Sequence, residues 1–286
     1  SRDEMKQWYL KENLLKFKNI KFVLGDVRDK ERLDSVLSNK IDYLFHAAAT
    51  KIVPTSEFNP EECIKTNIIG AMNVIDCCKK NKVKRVIALS TDKASSPINL
   101  YGATKLCSDK LFVAQNSENV QTKFGVVRYG NVMASRGSII PYFKSLINKP
   151  YFPITHPEMT RFFLSIEEAV KFSCFGMINM MGGEIFVKKI KSIKITDLAK
   201  SIKHNIKFKI TGIRPGEKIH EQMIGSDEAI NTAEFKDHYE ILANVNEKMK
   251  RIRKGYKSVD KNFIFSSKTA KKFSINEFRK IIQKLN

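Results

Sequence analysis

The chain is predicted to be an α/β protein built on a doubly wound, Rossmann-like parallel sheet, and three observations predict it. Through residues 1–129, short apolar runs alternate with longer amphipathic stretches, the pattern of βαβ units. Strand, helix and strand recur about every 40 residues there, the spacing of a parallel sheet with crossover helices. Beyond residue 129 the alternation stops and a region with four prolines (141, 150, 153, 157) begins, which points to a second, smaller lobe.

The elements follow in order. Residues 4–16 read as a helix. Residues 20–25 (IKFVLG) read as a strand, Asp26 follows, and a helix spans 30–37. Residues 41–47 (IDYLFHA) form the next strand. Cys63, Asn67, Gly70, Val74 and Cys77 fall at helical spacing within 60–81. Then come a strand at 83–90 (VKRVIALS), a helix at 101–114 and a strand at 122–128 (TKFGVVR). Residues 130–165 read as irregular, 165–181 as helix and 184–187 as a short strand. Thr196 to Ala199 opens another helix, 211–218 (TGIRPGEK) is a loop, and Ser274 with Glu277 matches a capping box before a last helix at 276–285. The expected division puts 1–135 and 165–190 in the dinucleotide domain, and 136–164 and 191–286 in the smaller lobe.

Composition narrows the function. The chain has 286 residues, 42% of them hydrophobic, enough for a substantial core and too apolar for disorder. No uncharged apolar run reaches the roughly 18 residues that span a bilayer, so no membrane role is expected. Five scattered cysteines without Cys-x-x-Cys suit free thiols in a reducing cytoplasm. The five histidines form no metal-ligand spacing, so no metal is expected. A net charge of +21 first suggests nucleic acid, yet the excess is mostly lysine strewn among Ile, Asn and Phe, with no stacking motif. No nucleic-acid partner is expected, and part of the charge suits an anionic small substrate.

The strongest local signal is Ser90-Thr91-Asp92-Lys93 followed by Tyr101-Gly-Ala-Thr-Lys105. A tyrosine and a lysine four apart share a helical face. An ammonium beside a phenol favours phenolate, which brings a group of ordinary pKa near 10 within reach of general-base work. Ser90 or Thr91, at a strand's C-terminal end, is placed to hydrogen-bond the same substrate oxygen.

That spacing resembles the short-chain dehydrogenase/reductase superfamily, in its extended branch that modifies nucleotide sugars. The strings FVLGDVRD (22–29), HAAATKIVP (46–54), ECIKTNIIGAMNVI (62–75), ALSTDKASSPINLYGATKLCSDKL (88–111), VVRYGNVMASRGS (126–138), MTRFF (159–163), GGEIFV (182–187) and GIRPGEKIHE (212–221) narrow it. Together they look like the inverting UDP-N-acetylglucosamine 4,6-dehydratases that open pseudaminic acid biosynthesis. The resemblance thins after about residue 245 and departs from the family at the start. The first glycine is Gly25, and neither Gly-x-Gly-x-x-Gly nor Gly-x-x-Gly-x-x-Gly occurs, the turn that seats a pyrophosphate in such folds. The resemblance implies that about forty residues of the family pattern precede Ser1, and that the chain as written binds cofactor poorly.

Carried over residue by residue, the resemblance implies NADP, with NAD second. Ser1, Arg2 and Lys6 would meet the adenosine ribose, where cations suit a 2′-phosphate. Asp26 and Val27 would flank adenine; Asp26 also reads as a helix cap. Ala47, Ala48, Ala49 and Lys51 would line the dinucleotide, with Thr66 and Asn67 nearby and Lys105 on the nicotinamide ribose. Asn67 also reads as a polar contact within the fold, and His46 as structural. For a UDP-sugar the matched positions are Lys51, Asn131, Arg136, Thr160, Arg161, Arg214 and Glu217; arginine forks suit a diphosphate. Tyr101 and Thr91 would serve C4 oxidation, Lys93 would be the C5 base and Asp92 the acid, with burial pushing both toward their neutral forms. A homo-oligomer, a hexamer by resemblance, is implied. A nucleotide-sugar 4-epimerase or reductase, or a non-catalytic dinucleotide-binding protein, are the competing expectations. The adjacent acid and base would be surplus to an epimerase, and a sensor has no need of the Tyr101–Lys105 pair.

Overall fold

The structure is a computed structural model in which all residues except 15, 117–120, 134, 136, 243–255 and 285–286 are described. Its strands are β1 (Tyr43–His46), β2 (Arg85–Thr91), β3 (Lys123–Tyr129), β4 (Asn131–Val132), β5 (Tyr151–Ile154), β6 (Thr160–Leu164), β7 (Glu184–Lys188), β8 (Ser192–Lys194), β9 (Lys207–Ile210), β10 (Gln222–Ile224), β11 (Thr232–Glu234), β12 (His238–Leu242), β13 (Lys257–Ser258) and β14 (Phe265–Ser266). The helices are α1 (Glu4–Asn13), α2 (Lys30–Leu37), α3 (Val53–Phe58), α4 (Pro60–Ile64), α5 (Gly70–Lys80), α6 (Leu100–Val113), α7 (Ile139–Ser145), α8 (Ile166–Asn179), α9 (Ile195–Ile202), α10 (Ser226–Ala229) and α11 (Ile275–Gln283).

Seven strands form the large sheet in the order β1-β2-β3-β7-β12-β11-β13. The first four run parallel, joined by crossover helices as parallel strands require. Several helices start where side chains cap them. Asp29 Oδ1 accepts from Arg32 N at 2.9 Å at the head of α2, and Ser165 and Glu168 form a reciprocal box at α8. At α11 only half of the expected box forms: Ser274 Oγ accepts from Glu277 N, while the Glu277 carboxylate takes the Lys191 ammonium at 2.5 Å.

Three expectations change. Residues 20–25 form no ladder; Val23 O and Gly25 N instead bond Ser1, and β1 presents Tyr43 and Phe45 outward, 57% and 46% exposed. A strand needs a paired neighbour, and none of the described strands runs beside this segment. Residues 130–165 are not irregular, since β4, α7, β5 and β6 occupy them; their partners β8 and β9 lie far along the chain, beyond the reach of local pattern. β11, β12 and β13, whose residues were expected in the smaller lobe, join the large sheet, with β12 antiparallel on β7. β11 and β12 pair antiparallel through the short connection 235–237, which leaves no crossover helix to read in the sequence.

Two cores result. One, under the large sheet, gathers Val86, Ala88, Phe112, Phe124 and Val126. The other gathers Phe143, Phe152, Phe163, Leu198 and Phe278, so the 136–164 and 191–202 segments and α11 share an apolar centre of their own.

Candidate active site

Strand β2 ends at Thr91, and residues Asp92–Ala94 turn at once into a single 3₁₀ turn whose first amide partner is Thr91 Oγ1. Helix α6 then returns past this turn. Gly102 makes the approach possible: a Cβ there would run into the Lys93 carbonyl oxygen, so only glycine fits. Asn99 caps the helix, accepting from Gly102 N at 2.8 Å, and its amide donates to Gly216 O at 2.8 Å. That second bond ties the Arg214-Pro-Gly-Glu loop to the head of α6. Gly216 has φ +72° and touches Asn99, a conformation that favours glycine. Strand end, helix start and loop therefore converge on Asp92, Lys93 and Tyr101.

Lys93 Nζ lies 3.0 Å from Asp92 Oδ1 and 3.3 Å from Glu221 Oε1. Thr91 Oγ1 donates to Asp92 Oδ1 at 3.1 Å. Asp92 is fully buried, whereas the Lys93 side chain keeps 21% of its surface open, so Lys93 is the more open member of the pair. Burial raises the Asp92 carboxyl, against the pull of Lys93. Burial would lower the Lys93 ammonium, but Asp92 and Glu221 outweigh it and hold it above the usual lysine range. The expectation for Asp92 matches this direction; that for Lys93 does not, because a second carboxylate stands beside it. Burial lifts the Tyr101 phenol to about 12, opposed by Lys93 and by a hydrogen bond with Thr91. The cation acting on the phenol is thus Lys93. Lys105, 3% exposed, is lowered by burial and faces Asp109 instead. Ser90 is turned away too, donating to Asp109 Oδ2 at 2.6 Å, which leaves Thr91 as the hydroxyl on the cleft.

The residues expected around a dinucleotide surround the end of β1. Ala47, Ala48, Ala49 and Lys51 are exposed just beyond it, outside the carboxyl end of a parallel strand where α/β sheets bind ligands. Asn67 sits in a π-helical turn, Lys65–Ile69, between α4 and α5. Its amide clamps the loop: Thr50 N donates to Oδ1 at 2.8 Å, and Nδ2 donates to Thr50 O at 2.9 Å and Thr104 Oγ1 at 3.0 Å. Asn67 thus shapes the loop from beneath. Thr66 Oγ1 is buried with no hydrogen-bond partner, a group left for something bound. Ser1, Arg2 and Lys6 are exposed, and Arg2 lies 3.5 Å from Asp26. Asp26 is occupied by Arg28, whose side-chain bonds hold its carboxyl low; it caps no helix, since Asp29 does. Val27 fits against Gly70. His46 is buried against Phe112 at 5.5 Å, with burial and Lys105 pushing it down to about 3, a neutral core imidazole. These residues fit a nicotinamide dinucleotide.

The substrate positions divide. Arg161 is consumed by the fold: its guanidinium donates to Thr160 O at 2.8 Å, Ile219 O at 3.0 Å and Lys218 O at 2.8 Å, and meets Glu217 and Glu221, each at 3.6 Å. Thr160 faces His220 and Ser267 at 2.8 and 2.7 Å. Arg214, held by Glu217 at 2.8 Å, keeps 66% of its side chain open and is free to fork onto an anion. Asn131 is half-buried, and Arg136 lies outside the described residues. Sequence reasoning missed Glu221, the last residue of the quoted GIRPGEKIHE string, and Asp109, four residues beyond Lys105; in both cases the charge spacing was visible but the partner was not. Among the described residues no helix is long and apolar enough to cross a membrane, and no His, Cys, Asp or Glu cluster could hold a metal ion.

The sequence and the fold both have known relatives. A family model described as "Polysaccharide biosynthesis protein" matches residues 1–243. The UDP-N-acetylglucosamine 4,6-dehydratase (inverting) of Campylobacter jejuni is 54% identical over 249 residues, 86% of this chain and 74% of that protein. A UDP-glucose 4-epimerase of Rickettsia bellii is 40% identical over 296 residues, 100% of this chain and 86% of its own. Among solved structures, Pen from Bacillus thuringiensis superposes with a TM-score of 0.89 at 34% identity, over 100% of this chain and 88% of that one. With a family model over most of its length and 54% identity to a dehydratase over 249 residues, the chain belongs to the polysaccharide biosynthesis family, among the inverting UDP-N-acetylglucosamine 4,6-dehydratases.

Proposed function

We propose that the chain removes water from UDP-N-acetylglucosamine to give a UDP-4-keto-6-deoxy-N-acetylhexosamine with C5 inverted, a first step toward pseudaminic acid or a related surface sugar. The observation that carries this reading is the Asp92–Lys93 pair, 3.0 Å apart beside Thr91 and Tyr101. Oxidation and reduction at C4 alone, as in an epimerase, has no use for it. Elimination across C5 and C6 needs one base and one acid a few ångströms apart.

When bound, the nicotinamide ring takes the C4 hydride and returns it at C6. The Ala47–Lys51 loop, Thr66 and Lys105 would hold that cofactor. Tyr101, a neutral phenol at rest, first gives its proton to water, a loss that the Lys93 ammonium favours; as phenolate it then takes the C4 hydroxyl proton, with Thr91 hydrogen-bonded to the same oxygen. The resting Lys93–Asp92 ion pair becomes the working pair when one proton crosses from Nζ to the carboxylate, with no change in net charge. A sugar seated on the site excludes water, and this favours the neutral pair. Lys93 then takes the C5 proton, acidic beside the C4 ketone, and the bonding electrons pass into the carbonyl as an enolate. The enolate expels the C6 hydroxyl, which leaves as water on taking the Asp92 proton. Lys93 and Asp92 finish as the ion pair they began as, and C5 takes its new proton from water on the opposite face.

Arg214 is the best placed cation for the diphosphate, and Arg2 and Lys6 support NADP over NAD. Five free cysteines suit the cytoplasm, and a homo-oligomer is the assembly we infer from the family; light scattering would measure it. The deciding experiment incubates the protein with NADP and UDP-N-acetylglucosamine in D2O and follows the sugar by NMR. We expect a C6 methyl signal and deuterium at C5. A product that keeps its C6 hydroxyl and differs only at C4 would make the protein an epimerase.

A further inference from the structure

We propose that Glu221 is a positioning residue of the elimination: it is the second side of a two-carboxylate grip on Lys93, the side that holds while Asp92 carries the proton. This rests on the dehydratase reading above. Glu221 is 2% exposed, and its Oε1 lies 3.3 Å from Lys93 Nζ, against 3.0 Å for Asp92 Oδ1. It cannot retreat. Its amide donates to Ser267 Oγ at 2.9 Å, and Ser267 N donates to its carbonyl at 2.8 Å. Ser267 is itself fixed by Thr160 Oγ1 at 2.7 Å. The other carboxylate oxygen, Oε2, is buried without a hydrogen-bond partner, an arrangement that costs stability and calls for a use.

The charges facing Lys93 are Asp92 from its own turn, Glu221, Arg161 and Lys218; Tyr101, from α6, is a neutral phenol there. One carboxylate would suffice to balance Lys93. Two make the difference once Asp92 is protonated, because a neutral amine has two N–H groups and one lone pair to aim. Glu221 accepting one N–H leaves the lone pair free to point at C5, and it recaptures the ammonium after the proton is taken. Glu221 touches neither substrate nor cofactor in this scheme and acts through Lys93.

The test measures exchange of the C5 proton with D2O against pH, beside transient reduction of bound NADP by UDP-N-acetylglucosamine. Glu221→Gln keeps shape and an acceptor oxygen but removes the charge, so Lys93 gives up its proton more readily. We expect the rising acid limb of C5 exchange to move about one pH unit lower, a tenfold change in proton affinity, with cofactor reduction unmoved. Glu221→Ala should lower the exchange plateau at least tenfold. An acid limb and plateau both unchanged, or a shift shared equally by cofactor reduction, would overturn the role. Wild-type protein that exchanges no C5 proton at any pH would instead sink the dehydratase reading. The second arm is independent of turnover: NMR of the lysine Nζ, assigned by its loss in Lys93→Arg. In Asp92→Asn, Lys93 should remain an ammonium through pH 8, and adding Glu221→Gln should make it neutral there. A neutral Lys93 in Asp92→Asn alone would overturn the grip.

Discussion

Gly102 rests against the main-chain carbonyl of Lys93 so closely that no side chain fits between them. That contact sets the distance between the helix carrying Tyr101 and Lys105 and the turn carrying Asp92 and Lys93. Gly102→Ala should therefore push α6 off the turn, costing about 1–3 kcal/mol as overpacking does. C4 oxidation and C5 exchange should slow together, since both depend on this spacing. Ala103→Gly, one residue on, is the control: it costs about 1 kcal/mol of helix propensity and should leave the chemistry alone. Thermal melts and single-turnover rates check both, and a Gly102→Ala protein with normal rates would separate the contact from catalysis.

Asn67 offers the same kind of test for the cofactor side. Its amide satisfies Thr50 N and O and Thr104 Oγ1, so Asn67→Ala leaves buried groups unpaired, at about 1–3 kcal/mol. The loop at 47–51 should loosen and NADP affinity should fall. Calorimetry reads the affinity and denaturant unfolding the stability. Lost stability with unchanged affinity would make Asn67 purely structural.

Tyr101 gives a pH prediction with a definite sign. Burial lifts its phenol to about 12, above the ordinary value near 10. A raised acid favours its neutral form in the fold, so this contribution to stability is complete below the ordinary value. It is lost as pH climbs through about 12. Tyr101→Phe should thus resist alkaline unfolding better than the wild type, while losing C4 oxidation at neutral pH. Equal alkaline melts would show the phenol to be more open to water than the structure has it.

Much of this was legible in the sequence, for physical reasons that differ by element. Helix α2 was readable to the residue because Asp29 caps it locally. The Ser90–Lys93 and Tyr101–Lys105 strings were readable because strand end and helix start follow each other directly. What escaped was set by distant partners. Residues 20–25 are apolar enough for a strand but have no described ladder neighbour. Ser90 is taken by Asp109, and Arg161 by carbonyls 57 and 58 residues away. Lys93 was expected to be driven neutral by burial, and only the fold brings Glu221, far along the chain, to its side.

The two arginines expected to fork a diphosphate should separate by experiment. Arg161→Ala removes a cation that the buried Glu221, the partly buried Glu217 and three carbonyls use. Stranding such charges costs about 3–5 kcal/mol, so loss of fold should dominate. Arg214→Ala removes a mostly open side chain and should leave the melt within about 0.5 kcal/mol. The KM for the UDP-sugar should rise at least tenfold with kcat little changed. A normal KM would move the diphosphate to other cations.

The sharpest question is whether Lys93 moves a proton or merely completes an ion pair at a strand end. Lys93→Arg separates the two. Arginine keeps the positive charge and can still meet Asp92 and Glu221, so a purely structural cation would be replaced at little cost. Its guanidinium cannot give up a proton near neutral pH, so a base would be lost. We expect transient cofactor reduction to survive in the variant, because Tyr101 and Thr91 are untouched. C5 exchange should fall by about 10²–10⁴-fold, the usual worth of a positioned base. The wild-type profile should carry the same signature. The Asp92–Lys93 pair works with one proton between its two members, so C5 exchange should rise with pH as the doubly protonated pair loses its extra proton and then stay level, because the shift from ion pair to neutral pair moves no proton to water. If Lys93→Arg exchanges its C5 proton at the wild-type rate, the base lies elsewhere and the ion pair is scaffolding alone.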